Sequence, residues 1–310
     1  MNHHSQKKSR TRLILGTGIL LVGVFLAIVV LFFLFSAIST SLVGQCVAVV
    51  DVNAPLTVEG SPTTLFSDGY PSSEELAYVI NDLDSRPDVG AVVLVVNSPG
   101  GSVVATREVY TAVDELDKPS VAYFREVAAS GAYYVASGTD YIISDPDALT
   151  GSIGVIATFT QMSGLFEKIG VNVTSITSGP HKDIGSSYRN MTDTEYQILQ
   201  DLVDEVYTEF RGVVLENRKG KLNMAKFDEV TDGRILSGRQ AKAAGLVDAL
   251  GSKKDAILKA AELAGIEYDS YDDIRVCEVS TTTSEGGLFG AGAILKPFSA
   301  VSDTPQLSFK

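Results

Sequence analysis

Ser130 sits where a serine can act as a nucleophile. The stretch Arg125 to Ala136 reads Arg-Glu-Val-Ala-Ala-Ser-Gly-Ala-Tyr-Tyr-Val-Ala. A β-rich run, Ser120 to Phe124, leads into it, and the pattern turns helical after Gly131. Amides at a helix start are unpaired and the helix dipole there is positive. Both favour an alkoxide-like oxygen. Gly131 has no side chain to keep a ligand from the backbone. The alternative for the same serine is a helix N-cap, a common place for Ser.

Serine chemistry needs a base and donors for an oxyanion. The chain has three histidines, His3, His4 and His181. The first two precede a long apolar run. His181 lies in Ser178-Gly-Pro-His-Lys-Asp183, an aperiodic stretch that reads as a loop. Its neighbour Lys182 can serve as base if its amine is neutral. An unperturbed lysine is about 4–5 kcal/mol on the charged side at pH 7, and burial removes much of that. The plainer readings are a solvated loop lysine and a loop histidine. Ser98-Pro-Gly-Gly101 follows a buried strand and precedes a helix, so its glycines can present amides to a ligand. The plainer reading there is a tight turn. No Gly-x-Ser-x-Gly, His-Glu-x-x-His, Walker or Gly-x-Gly-x-x-Gly motif occurs. Ser5-x-x-Lys8 is confined to the basic N-terminal stub.

The elements that must position these residues alternate. Val47 to Val52 and Val89 to Val96 read as strands, the second apolar enough to be covered on both faces. Ser73 begins a helix with Leu76, Val79, Ile80 and Leu83 at helical spacing, ended by Arg86-Pro87. A helix from about Val103 to Leu116 precedes the Ser120 strand. Tyr141 to Ser144, Ile153 to Thr158, Val171 to Thr177 and Tyr271 to Val279 read as further strands. Thr192 to Asn217 is the longest helix, with a capping-box spacing at Thr192 and Glu195. Gly238 to Ala244 and Lys254 to Ala264 are shorter helices. Alternating strands and helices predict an α/β fold with parallel pairing.

Leu13 to Ile38 is an uncharged run of 26 residues, long enough for a tilted membrane helix. Its length favours an uncleaved anchor over a signal peptide. Four basic residues precede it, which puts residues 1–12 in the cytoplasm and the body on the far side of the membrane. Residues 39–45 form a linker, 46–279 the body, and 280–310 a flexible tail rich in Thr, Ser and Gly. The net charge is −13, with +4 carried by residues 1–12 and −17 by the rest. An acidic body argues against nucleic acid as a partner. Cys46 and Cys277 make no zinc pattern and are expected to be unpaired thiols.

Asn97-Ser-Pro-Gly-Gly101, Ala128-Ala-Ser-Gly-Ala-Tyr-Tyr134, Leu149-Thr-Gly-Ser-Ile-Gly-Val155, Ser178-Gly-Pro-His-Lys-Asp183, Asp232-Gly-Arg234 and Gly238-Arg-Gln-Ala241 follow one another behind an N-terminal anchor. In that order they resemble the signal peptide peptidase A family of serine–lysine proteases in its short, single-unit form. The resemblance covers roughly Val47 to Ala264. It implies a Clp-protease/crotonase-like fold of repeated ββα units, with Ser130 as nucleophile and Lys182 as general base. It further implies an oxyanion hole from the amides of Gly101 and Gly131, with Ser152 orienting the lysine. The implied partners are peptide substrates, chiefly cleaved signal peptides, the membrane, and further copies in a ring or dome that shares the dyad between subunits. No cofactor or metal is implied. Arg125-Glu126 departs from the uncharged residues often seen before the nucleophile run. A crotonase-like acyl-CoA enzyme and a non-catalytic membrane scaffold are the competing readings. The anchor, the acidic body and the Ser130–Lys182 pair argue against the first, and the intact pair against the second.

Overall fold

The computed structural model describes residues 23, 25–30, 45–62, 69–279 and 308–309. The described residues fall into two units divided between Gln45 and Cys46, each described by itself. In the first, residues 23 and 25–30 are helical with exposed apolar side chains. The rest of the expected 13–38 anchor, and nearly all of the 280–310 tail, lie outside the described residues. Among the described residues no helix is long and apolar enough to cross a membrane.

The second unit is built on a mostly parallel sheet. Its elements are β1 (Cys46–Val52), α1 (Ser73–Ser85), β2 (Val89–Ser98), β3 (Gly101–Ser102), α2 (Val103–Asp114) and β4 (Ser120–Ala129). There follow α3 (Gly131–Ser137), β5 (Tyr141–Ser144), β6 (Leu149–Gly151), α4 (Ser163–Ile169), α5 (Asp193–Asn217) and α6 (Met224–Val230). The last are β7 (Ile235–Ser237), α7 (Gly238–Ala244), β8 (Ala249–Leu250), α8 (Lys253–Leu263), β9 (Val276–Val279) and β10 (Ser308–Phe309). The main sheet runs β7-β6-β4-β2-β1-β9, with β5 also paired to β4 and β8. Its pairs are parallel except β6 with β7. The expected α/β class and parallel pairing are therefore found.

Strand alternation sorts the core into two layers. Val47, Val49, Val93, Val95 and Val121 face α8, which buries Ala256, Ile257, Ala260 and Ala261. Ala48, Val50, Val92, Leu94, Val96 and Phe124 face the other way, toward α1, α2 and α3. The helix starts follow the sequence signals. Ser72 with Glu75, and Thr192 with Glu195, form complete capping boxes on α1 and α5. Gly245 closes α7 in the left-handed conformation at φ 81°, which its lack of a Cβ allows.

Three expectations are corrected. Cys46 and Cys277 are joined in a disulfide. Cys46 opens β1 and Cys277 lies on its parallel neighbour β9, two strands held 231 residues apart in sequence. Only the sheet order brings them together, so spacing could not reveal the bond. Ile153 to Thr158 and Val171 to Thr177 form no named strand. Their alternation is real, but apart from an isolated bridge at Ile156 they join no strand pair among the described residues, and Ile176 is left 97% exposed. The third concerns the long helix. Its sequence spaces Ile198, Leu199, Leu202, Val203, Val206 and Phe210 as one apolar stripe, but of these only Phe210 is buried, joined by Val214 one turn on, while Ile198 and Leu202 are exposed.

Candidate active site

Strand β4 runs further than its apolar start predicts. It carries Arg125 and Glu126 exposed on the way, and delivers Ser130 to the junction with α3. Pairing of β4 with β6 fixes that end: Ala129 sits opposite Gly151, and the Ser130 amide donates to the Gly151 carbonyl at 2.9 Å. The Thr150 hydroxyl donates to the Ala128 carbonyl at 2.7 Å.

At this junction Ser130 adopts φ 55° and ψ −123°. A positive φ in a residue with a Cβ is strained, typically by about 1–3 kcal/mol, and is retained where surrounding structure enforces it. The expected alternative, an N-cap, fails here: the side chain makes no capping hydrogen bond. Its Oγ is fully buried and has no hydrogen-bond partner among the described residues. A buried hydroxyl left unpaired costs free energy comparable to a lost hydrogen bond. The fold thus holds one serine oxygen in a strained, unsatisfied position.

Gly101 and Gly131 converge beside it. A Cβ placed on Gly131 would stand 2.3 Å from Thr106 Oγ1 and 3.3 Å from the Gly101 amide nitrogen. A Cβ on Gly101 would run into the Leu56 carbonyl oxygen at 1.8 Å. Gly100, at φ 98°, makes the turn that allows this approach. Gly101 is therefore required by backbone packed on backbone and Gly131 by the Thr106 side chain against it, and the two glycine segments lie side by side. Ser152 is also nearby in the ladder: it follows Gly151, is buried, has φ 50°, and its amide donates to the Arg234 carbonyl at 2.8 Å. The structure brings Ser130, Gly131, Gly101 and Ser152 into one locale.

Lys182 is not brought to it within the single chain. It is exposed in a run of turns, and no hydrogen bond or ion pair joins its amine to Ser130 or to any carboxylate among the described residues. The adjoining side chains are firmly held. Arg189 forms paired hydrogen bonds with Asp183, at 2.7 and 2.9 Å, and with Glu195, at 2.6 and 2.8 Å. The guanidinium holds both carboxyls down to about 2. His181 Nδ1 lies 3.8 Å from Glu195 Oε1.

Thr106, Arg189 and Glu195 carry no sequence signal of the parts they play in this setting. Thr106 is fully buried with its Oγ1 unpaired, packed against Gly131. Nothing in its local sequence, mid-helix in α2, signals that. Glu195 was readable as a cap, but its second role, as a partner of Arg189, needed the loop to fold back onto α5.

The two-residue strand β10 pairs antiparallel with β3, Phe309 opposite Gly101 and Ser308 opposite Ser102. An extended segment can therefore add itself to the edge that carries the Gly101 amide, which is how β-augmentation captures peptides.

Comparison with known proteins gives the family. The pattern of Peptidase family S49 matches residues 112–267. A Methanocaldococcus jannaschii protein named as a protease is 42% identical over 190 residues, 61% of this chain and 60% of that protein. An Enterococcus faecium protein named as a signal peptide peptidase SppA is 35% identical over 63% of this chain and 57% of its own length. Protease 4 of Salmonella typhi is 34% identical over 74% of this chain and 37% of its own. The chain thus spans less than two thirds of each of these relatives.

Proposed function

Because the chain belongs to peptidase family S49, we propose that it is a membrane-anchored serine endopeptidase working through a Ser130–Lys182 dyad. The observation that carries the proposal is the strained Ser130, its buried Oγ unpaired beside the convergent Gly101 and Gly131 backbones. An oxygen held that way is poised for bond formation, and the Gly101 and Gly131 amides beside it are the proposed donors to the charge that develops.

In the proposed reaction neutral Lys182 takes the Ser130 proton as Oγ attacks a peptide carbonyl. The carbonyl oxygen becomes an anion held by the Gly101 and Gly131 amides. Lys182 then gives its proton to the leaving amine, which departs as the C–N bond breaks and leaves an acyl-Ser130. Water, deprotonated by Lys182, attacks the acyl carbon, and the Ser130 oxygen leaves with that proton. Ser152 orients the lysine.

The exposed position of Lys182 fits an arrangement in which one copy supplies the lysine to the serine of its neighbour, in a homo-oligomeric ring or dome. Supporting that, a cleft of about 670 Å³ lies open between Val155–Gln161 and the first half of α5, lined by Val155, Ile156, Phe159, Met191, Leu199 and Val203. The uncovered Ile198, Leu202 and Ile176 add apolar surface. The repeated ββα architecture belongs to the same proposal. So do the anchor at 13–38, the peptidase domain at 46–279, and substrates such as cleaved signal peptides and other apolar peptides at the membrane. The disulfide favours an oxidising compartment for the body, in keeping with a body outside the cytoplasm.

The test is peptidase activity of the full chain on an apolar peptide library, with Ser130→Ala and Lys182→Ala alongside. Both variants are expected to lose about a thousandfold or more while keeping the assembly size on a sizing column. Labelling by a serine-directed phosphonate should vanish in Ser130→Ala. Wild-type activity in Lys182→Ala would remove the lysine from the reaction, and inert wild-type assemblies would favour the scaffold reading.

A further inference from the structure

We infer that Arg189 is the positioning residue of the Lys182 loop: it ties the loop to the start of α5 and keeps the carboxylate next to Lys182 occupied. This inference rests on Lys182 being the general base.

The geometry is that of a two-sided clamp. One face of the guanidinium fork takes Asp183, the residue after Lys182, at 2.7 and 2.9 Å. The other takes Glu195 at 2.6 and 2.8 Å. Glu195 is almost wholly buried and is fixed in turn by the α5 capping box, where it accepts from the Thr192 amide at 3.0 Å. Tyr188 adds a third donor to Asp183 at 3.1 Å. A mobile lysine stem is thereby attached one residue from a rigid helix terminus. Bidentate pairing on both sides needs the planar fork of arginine, which a lysine at this position cannot reproduce.

The electrostatic consequence is specific. The charged and titratable groups around Lys182 are His181, Asp183, Tyr188 and Arg189 from the loop and Glu195 from α5. A free Asp183 carboxylate would pair with the lysine next to it and favour the ammonium form, which cannot accept a proton. With Arg189 on it, Asp183 is engaged elsewhere, and Lys182 makes no ion pair among the described residues.

The experiment compares Arg189→Ala, Arg189→Lys, Asp183→Asn and the double variant Arg189→Ala with Asp183→Asn in the full chain. Arg189→Ala is expected to lower kcat about 10- to 100-fold, with KM changed far less. The acid limb of its kcat–pH profile should move up by about one unit. Arg189→Lys should recover little, because one ammonium cannot bridge both carboxylates. The double variant should return the limb to its wild-type position, although kcat stays low. Asp183→Asn alone keeps the Arg189–Glu195 half, and should lower kcat without moving the limb upward. A purely structural role would lower melting temperature and kcat but leave the limb in place, which would overturn the electrostatic part. Hydrogen exchange over residues 181–188 reads the tether whatever the base proves to be. It should quicken in Arg189→Ala with the β2 amides unchanged, and unchanged exchange would overturn the clamp. If Lys182→Ala keeps full activity while the exchange result holds, the base assignment has failed and the tether has not.

Discussion

At the scale of single residues the site is governed by close contacts that leave no room for a methyl group. Gly131 is the sharpest case. Alanine there would place its Cβ 2.3 Å from Thr106 Oγ1, on a buried side chain that cannot swing into solvent. If the Gly131 amide is the proposed oxyanion donor, Gly131→Ala is expected to lower peptidase activity about 100-fold or more, the usual cost of disturbing one such donor, and in any case to destabilise the fold. Adding Thr106→Ala makes space, so the double variant should regain stability, as thermal melts of the two would show. A double variant no more stable than Gly131→Ala would mean that the Gly101 backbone, 3.3 Å away, is the harder obstacle.

At the scale of elements, a buried ion pair fastens α5 to the sheet. Arg218, just past the end of α5, is fully buried and contacts Asp248 at 2.7 Å. It also donates to the Gly245 carbonyl. Asp248 accepts in addition from the Ile142 amide at 2.8 Å, at the start of β5. Burial pushes the Asp248 carboxyl up, but Arg218 outweighs it and the net direction is down. A carboxyl lowered by folding contributes stability above its unfolded value, near 4, and loses it as pH falls through the folded one. Asp248→Ala, which strands a buried guanidinium, is expected to cost about 3–5 kcal/mol. Denaturant melts at pH 7 and pH 3 check both points: the gap between wild type and variant should narrow at pH 3.

At the scale of the whole molecule two features stand out. The first is the disulfide that ties β1 to β9 across nearly the whole second unit. Closing so long a loop limits the unfolded chain, and the chain-entropy argument puts its contribution as high as about 5 kcal/mol. Reduction, or Cys277→Ser, should lower the denaturation midpoint, with little change in activity of what stays folded, since the bond lies on strands away from Ser130. The second is the uncovered apolar surface around the α5 cleft. Large exposed apolar patches mark contact surfaces. If this surface joins copies in the proposed ring or dome, Leu202→Asp is expected to shrink that assembly and abolish peptidase activity together, read by light scattering and turnover. A dispersed but fully active variant would argue against a dyad shared between copies.

Much of this protein was legible in its residues. The unbroken apolar run of β2 announced a strand covered on both sides, and the capping residues Thr192 and Glu195 announced the start of the longest helix. Those signals are local: they depend on periodicity and on hydrogen bonds spanning a few positions. The ordered glycine and serine motifs likewise pointed to Ser130 and to the glycines beside it. What the residues could not express was anything that depends on distant segments meeting. The Cys46–Cys277 bond exists because β9 returns to pair with β1. Gly131 must be glycine because Thr106 and Gly101 arrive against it from other elements. Val171 to Thr177 alternates like a strand yet pairs with no strand among the described residues, and the alternation cannot say whether an edge exists. Sequence specified which groups could do chemistry and which segments would be regular. Tertiary structure decided which of them meet, because contact between remote residues is set by sheet order and packing rather than by spacing along the chain.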